Sequence, residues 1–233
     1  MAGATATRPR DTRANAAPAR ANDAALERYY RLHARIYDAT RWSFLFGRSG
    51  LLAKLPTGFA PRTVLEIGCG TGAVLASTAA RFPGARVVGI DLSPEMLTVA
   101  ARATARFGDR VSLVRIAYGA PLSTDALASL APGGFDLVTA SYSLTMFGDA
   151  YAPAIEAAAR DLSPTGRLAV VDFHDSPSPA FRRWMGANHV RMEGQVLAKL
   201  DATLAAETRV VSRAYLGLWR YFSFVGRRRG AAE

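Results

Sequence analysis

Cysteine occurs once in these 233 residues, as Cys69, which excludes an internal disulfide framework and fits a reducing compartment. Lysine is nearly absent, at Lys54 and Lys199 only, and histidine is confined to His33, His174 and His189. Those three histidines show no recognisable ligand spacing, so no metal centre is expected. No apolar run approaches the roughly 18 residues of a membrane-spanning helix. Nor is there a hydrophobic signal-peptide core. Acid is scarce against base: 19 Asp and Glu face 29 Lys and Arg, leaving a formal net charge of +10.

The distribution of that charge is more informative than its total. Residues 1–22 carry Arg8, Arg10, Arg13 and Arg20 against Asp11 alone and have no apolar stripe, so they read as a disordered tail. The same stretch contains no serine and has little amphipathicity, which argues against an organelle transit peptide. At the other end, no acid occurs between Glu207 and Glu233, while Arg209, Arg213, Arg220 and Arg227 to Arg229 interleave with Tyr215, Leu218, Trp219, Tyr221, Phe222, Phe224 and Val225. Such a segment fits docking on an anionic membrane. It also fits a pair of antiparallel edge strands that alternate core aromatics with solvated arginines, and that reading is preferred for most of it. Residues 227–233 are set apart as a basic tail.

Half of the chain is hydrophobic, enough for one large core. Asn22-Asp23 can cap a helix in which Leu26, Tyr29, Tyr30, His33, Ile36 and Tyr37 recur at three- and four-residue steps. A second short helix is expected around 43–54, so that 23–56 forms an N-terminal helical lid on a domain over 57–226. Then apolar runs alternate with helical patterns: strand 63–67, helix 72–81, strand 86–90, helix 94–107, strand 111–116, a helix near 123–130, strand 135–141, helix 150–161 and strand 167–173. Helices over 174–203 and two antiparallel strands over roughly 205–225 complete the chain. Short, continuously apolar strands bounded by Gly or Pro mark a parallel sheet covered on both faces. Right-handed crossovers place all their C-terminal ends on one edge, where open α/β sheets bind ligands.

The first strand ends in Val64-Leu65-Glu66-Ile67-Gly68-Cys69-Gly70-Thr71-Gly72, and 23 positions after Gly68 the acid Asp91 closes the second strand. Glycines at this spacing allow a tight strand-to-helix turn and a close backbone approach to a ligand, and the later acid can accept from ribose hydroxyls. Ala73 would complete a loose dinucleotide fingerprint, but Glu66 would then face a pyrophosphate at short range; it suits a cationic amino acid better. The segment resembles motif I of class I S-adenosylmethionine-dependent methyltransferases. Val87-Val88-Gly89-Ile90-Asp91-Leu92-Ser93-Pro94-Glu95-Met96-Leu97 and Gly133-Gly134-Phe135-Asp136-Leu137-Val138 resemble their next signatures. The resemblance implies a Rossmann-like seven-stranded sheet, mostly parallel with an antiparallel C-terminal strand, and S-adenosylmethionine as cofactor with S-adenosylhomocysteine as product.

On that resemblance, Gly68, Cys69, Gly70 and Gly72 bring backbone to the methionine part of the cofactor and Glu66 takes its ammonium. Asp91 takes the ribose hydroxyls, Leu92 and Met96 sandwich the adenine, and Tyr37, Arg41 and Ser141 add further contacts. The acid that often meets the adenine amine is missing from Arg115-Ile116-Ala117-Tyr118-Gly119-Ala120, so Tyr118 is assigned there instead. After the fourth strand, Ser141-Tyr142-Ser143-Leu144 replaces the Asp or Asn followed by Pro-Pro-aromatic of enzymes that methylate base or amide nitrogens, so no nucleic-acid substrate is expected.

Tyr29 to Arg41, Phe44-Leu45-Phe46-Gly47-Arg48, Ser141 to Met146, Val170 to Asp175 and His189-Val190 resemble bacterial lipid-headgroup N-methyltransferases, in particular those converting diacylglyceryl-homoserine to the betaine lipid diacylglyceryl-trimethylhomoserine. Phosphatidylethanolamine and quinone-ring methyltransferases share the Tyr37-Asp38 pattern, and both remain open as alternatives. The resemblance implies a cytoplasmic protein held peripherally on the inner face of the membrane and paired with the enzyme that makes diacylglyceryl-homoserine. No oligomeric state follows from the sequence. An aligned amine must lose a proton before attack, which makes His174 and then Tyr142 candidate bases; His174 can equally be a loop histidine paired with Asp172 or Asp175. Tyr30, Tyr37 and Tyr142 are candidates to surround the product cation, although Tyr30 and Tyr37 also fit plain core at helical spacing. Arg41, Arg48 or Arg191 fits the headgroup carboxylate, with His189 beside it. A module that binds the cofactor without turnover is the non-enzymatic alternative.

Overall fold

The structure is a computed structural model that describes residues 44–119 and 127–230. The expected tail over 1–22, the helix opening at Asn22-Asp23 with Tyr30, Tyr37 and Arg41, and much of the helix near 123–130 lie outside the described residues.

Strands β1 (Thr63–Ile67), β2 (Arg86–Asp91), β3 (Val111–Arg115), β4 (Phe135–Ser141), β5 (Leu162–Asp175), β6 (Leu204–Ala214) and β7 (Trp219–Arg228) form one sheet in the order β3-β2-β1-β4-β5-β7-β6. The first five run parallel, and β7 is antiparallel to both of its neighbours. Helices α1 (Ala73–Arg81), α2 (Pro94–Thr104), α3 (Tyr151–Asp161), α4 (Pro179–Ala187) and α5 (Gln195–Thr203) cover both faces. Side chains of alternating parity divide the core. Leu65, Ile67, Val138, Val170, Phe222 and Phe224 pack toward α3 and α5. Val64, Leu137, Ala169, Val171, Phe173 and Val225 pack toward α1, α2, α4 and the segment entering β1. This is the mostly parallel α/β sheet with an antiparallel C-terminal strand that the motifs imply.

Local sequence sets the helix starts. Before α2, Ser93 Oγ accepts from Met96 N–H at 3.2 Å with Pro94 in the first turn; before α4, Ser178 Oγ accepts from Phe181 N–H at 3.2 Å with Pro179 in the first turn. Each cap stabilises its helix by about 1 kcal/mol. Asp136 fastens the edge of the sheet remote from the strand tips: its Oδ2 accepts from the Arg62 and Thr63 N–H groups at 2.8 and 3.2 Å, and its Oδ1 from Ser163 Oγ at 3.0 Å. One carboxylate thus ties the starts of β1, β4 and β5, which gives the Gly-Gly-Phe-Asp signature a structural role.

Four expectations change. The described part of the short helix around 43–54 is a set of turns with a single 3-10 turn at Leu52–Lys54, because Gly47 takes a left-handed φ of 75° against the Tyr221 ring. The helix expected over 94–107 ends at Thr104, whose hydroxyl donates back to Ala100 O at 2.7 Å, and a 3-10 segment follows through Arg110. Strand β5 begins at Leu162, with a register shift against β4 between Phe135 and Leu137 that accommodates Pro164 and Gly166. Of the two C-terminal strands only β6 is an edge; β7 lies between β5 and β6, and Phe222 through Gly226 are buried.

Candidate functional site

The sheet order reverses between β1 and β4, the switch point at which open α/β sheets bind ligands, and the glycine turn follows β1 there. The turn is tied to β2 by Cys69 N–H donating to Ile90 O at 2.9 Å and by Gly70 N–H donating to Asp91 Oδ2 at 2.8 Å. Ser93 N–H donates to the other Asp91 oxygen at 3.0 Å. Burial raises the Asp91 carboxyl above its ordinary range, and the backbone donors of Ser93, Gly70 and Leu92 oppose that shift. A carboxylate offers about four acceptor positions, so these three backbone donors still leave room for a ribose hydroxyl.

The three glycines turn out to have different tasks. A Cβ on Gly68, whose φ is 65°, would lie 2.6 Å from Ser143 Cβ, and Ser143 in turn donates its hydroxyl to Ile67 O at 2.9 Å. Gly72 lets α2 approach, since a Cβ there would lie 3.0 Å from Ala100. Only Gly70 has nothing within 4 Å of its missing Cβ, so it is the glycine that faces open space. Cys69 is buried in the core, and desolvation raises its thiol well above the ordinary value, as fits a packing residue.

Glu66 is 1% exposed, and its Oε2 has no hydrogen-bond partner among the described residues. Desolvation pushes its carboxyl up to about 8; the Arg48 guanidinium works in the opposite direction and Asp91 adds to the rise. A buried acceptor without a donor fits a cation that arrives with a ligand. Arg48 complements it: the Arg48 Nε is also buried and unpartnered, and its charge acts on both Glu66 and Tyr142.

Tyr142 follows β4 with a left-handed φ of 54° that turns its ring toward Phe173, with centroids 4.7 Å apart and edge to face. Its hydroxyl donates to Phe46 O at 2.6 Å, and desolvation raises its pKa. Tyr142 is therefore a strut holding the segment 44–48 over the strand tips, not a poised base. Ser141 Oγ is buried beside it without a partner.

His174 is not brought to this group. It lies on the opposite face of the sheet from Tyr142 and Phe173, its ring 6.3 Å from that of Phe222 and 3.0 Å from the Cβ position of Gly194. Desolvation lowers its pKa, with Asp175 opposing. Asp175 is bound by Arg220, and Asp172 by the Thr145 hydroxyl and N–H, so neither pairs with His174 through a hydrogen bond.

The remaining candidates scatter. Tyr118 is 5% exposed within the core and donates to Asp161 Oδ2 at 2.8 Å, which commits the hydroxyl that the sequence reading gave to adenine. Met96 is fully buried, whereas Leu92 is half-buried at the rim and its carbonyl accepts from Arg115 Nε at 2.9 Å. Arg191 is exposed and pairs with Asp149 at 2.7 Å, and His189 sits in a left-handed turn with φ 62°. Among the described residues no group of three or more His, Cys, Asp or Glu is placed to hold a metal, and no helix is long and apolar enough to cross a membrane.

Sequence reasoning offered Asp172 only as a partner for His174 and missed its contacts with the loop after β4. This fully buried carboxyl accepts from Thr145 N–H at 3.1 Å, Thr145 Oγ1 at 2.5 Å and Phe173 N–H at 2.8 Å, and burial raises it to about 6 despite those donors. It fixes the loop after β4 from behind. A lone acid inside the apolar run Val170-Val171-Asp172-Phe173 was the available signal.

Residues 65–168 match the family model described as a methyltransferase domain. This segment is thus similar to methyltransferase domains. The demethylmenaquinone methyltransferase of Thermus thermophilus is 38% identical over 123 residues, covering 52% of this chain and 52% of that protein. The nocamycin O-methyltransferase of Saccharothrix syringae is 38% identical over 153 residues, 65% of this chain and 51% of that protein. The chain thus spans about half the length of these relatives. Among solved structures, the N-methyltransferase NodS from Bradyrhizobium japonicum in complex with S-adenosyl-L-homocysteine matches with a TM-score of 0.67 at 21% identity, over 87% of this chain and 98% of that one. Phosphoethanolamine N-methyltransferase 2 of Haemonchus contortus in complex with S-adenosyl-L-methionine matches with a TM-score of 0.66 at 17% identity, over 91% and 60%. Likeness at such identities shows the fold. The matched methyltransferase domain runs from β1 into β5 and so includes Glu66, the glycine turn, Asp91 and Tyr142, but leaves out Arg48, Phe173, β6 and β7.

Proposed function

We propose that the chain transfers methyl groups from S-adenosylmethionine to the amine of a membrane lipid headgroup, converting diacylglyceryl-homoserine to diacylglyceryl-trimethylhomoserine by successive transfers. The observation that carries the reading is the pair of buried, unpartnered groups at the strand tips, Glu66 Oε2 and Arg48 Nε. The residues present fit the cofactor: Glu66 would hold its ammonium, the open backbone at Gly70 its methionine part and Asp91 its ribose. When bound, the cofactor supplies an electrophilic methyl on a sulfonium. Arg48 would take the homoserine carboxylate, for which a guanidinium fork is well suited. The Tyr142 and Phe173 rings would border the nitrogen, each face favouring the quaternary product by ~0.5–2 kcal/mol.

Each transfer forms a nitrogen–carbon bond as the sulfur–carbon bond breaks, and the first two methylated products must shed a proton before the next attack. Tyr142 already donates its hydroxyl to Phe46 O, and His174 stands behind the sheet. Among the described residues neither candidate base is free to take it, so on this reading the proton leaves to water and these residues serve to align the reactants. A second reading has an observation of its own: relatives at 38% and 35% identity are named demethylmenaquinone methyltransferase and ubiquinone biosynthesis O-methyltransferase, which favours a quinone precursor. The discriminating assay offers diacylglyceryl-homoserine, phosphatidylethanolamine and demethylmenaquinone separately in mixed micelles with methyl-labelled cofactor. Label in the homoserine lipid supports the proposal; label in demethylmenaquinone alone replaces it with the second reading; cofactor binding without label in any acceptor points to a silent module.

A further inference from the structure

Among the described residues the exposed large apolar side chains are Phe46, Trp184, Val210, Tyr215, Leu216 and Leu218. All but Val210 gather where the β6–β7 hairpin meets α4. Ring contacts make the group continuous: Tyr215 lies 5.4 Å from Phe46 and 4.7 Å from the buried Trp219, and Phe44 lies 6.1 Å from Trp184. At the tip, Tyr215 and Leu216 both adopt left-handed backbone, with φ of 45° and 57°, a conformation that bulky side chains rarely take. The result is a fully exposed leucine at 109% relative accessibility, held out from the fold at a conformational cost.

Charge surrounds this apolar tip. A groove of about 360 Å³ beside it is lined by Arg213, Arg220, Leu216, Gly217 and Asp175 to Pro177. Asp175 is neutralised by Arg220, while Arg213 and the outward Arg183 of α4 have no acidic partner among the described residues. Arg182 donates to Ser176 O on the groove wall. Leucine and aromatic side chains projecting between arginines match the boundary between acyl chains and anionic headgroups. The patch also adjoins the site, because Phe46 carries the carbonyl that accepts from Tyr142.

We propose that the β6–β7 hairpin tip and the outer face of α4 seat the protein on an anionic lipid bilayer. This surface rests on the lipid-headgroup reading for its role, but its test measures binding without turnover. Full-length protein without cofactor is floated with vesicles of phosphatidylcholine alone or with about one third phosphatidylglycerol, at low and high salt. Binding is expected to the anionic vesicles, weakened by salt, and lowered about tenfold or more by Leu216→Glu and by Arg213→Glu with an unchanged thermal midpoint. The proposal is overturned if the native protein does not float, as when residues 1–43 of the chain or a second copy cover the patch, or if Leu216→Glu floats equally well. Methylation of micellar headgroup without vesicle binding removes this surface and leaves the lipid reading; vesicle binding without methylation does the reverse.

Discussion

Glu66 is where the site costs the fold most. Its folded pKa of about 8 lies above the ordinary 4.5, so the folded chain holds this proton more tightly than the unfolded one. That stabilisation is complete below pH 4.5 and is lost as pH rises toward 8, at about 1.4 kcal/mol per unit. Asp172 adds a smaller effect of the same sign between 3.8 and about 6. The thermal midpoint of ligand-free protein is therefore expected to fall from pH 5 to pH 8, and Glu66→Gln to remove most of that fall while weakening cofactor binding by about tenfold or more. A native midpoint that does not vary with pH contradicts this, and so does a Gln variant of undiminished affinity. Tyr142→Phe removes the bond to Phe46 O, with an expected loss of about 1 kcal/mol in denaturant unfolding and a larger loss in turnover than in cofactor affinity. Glu66, the glycines and Asp91 were legible because their spacing encodes a strand, a turn and a second strand tip. The separation of His174 from Phe173 was legible too, since consecutive strand residues face opposite sides. What brings Tyr142 onto the Phe173 side is a left-handed φ, which its residue type gives no reason to expect.

At the scale of elements, the glycine turn and the loop after β4 are one unit. A methyl at Gly68 meets Ser143 Cβ at 2.6 Å, so Gly68→Ala is expected to destabilise by roughly 1–3 kcal/mol and to displace the loop carrying Tyr142. Gly70→Ala meets no atom within 4 Å and should cost only the ~1 kcal/mol of its left-handed backbone, yet lower cofactor affinity more than stability. Chemical denaturation with calorimetric titration checks the contrast, and equal effects from the two variants would contradict it. The glycine pattern gave the turn away, but not which atoms fill each missing Cβ, because Ser143 and Ala100 arrive from distant sequence. Strand limits were legible for β1, β2 and β4, where apolar runs have sharp Gly, Pro or polar boundaries. They failed for β5, whose first pairs with β4 pass through Pro164 and Gly166, and for β7, where aromatics alternating with arginine read as an exposed edge.

Across the whole molecule, the methyltransferase domain match spans residues 65–168 and ends within β5, and the segment 44–62, α4, α5, β6 and β7 lie outside it. Glu66, the glycine turn and Asp91 fall within the match and were legible from motifs, whereas the proposed acceptor contacts include Arg48 and Phe173, which fall outside it. With no base at the nitrogen among the described residues, kcat/KM is expected to rise about tenfold per pH unit below the pKa of the headgroup amine, and His174→Ala to leave that profile in place. A pH-independent rate, or a profile that His174→Ala abolishes, would show a base that this geometry lacks. The central claim is tested most directly by mass analysis of diacylglyceryl-homoserine after incubation in micelles with the protein and S-adenosylmethionine. The account predicts successive gain of one, two and three methyl groups on the nitrogen, with one S-adenosylhomocysteine formed per methyl. Unchanged lipid in the presence of bound cofactor would contradict it.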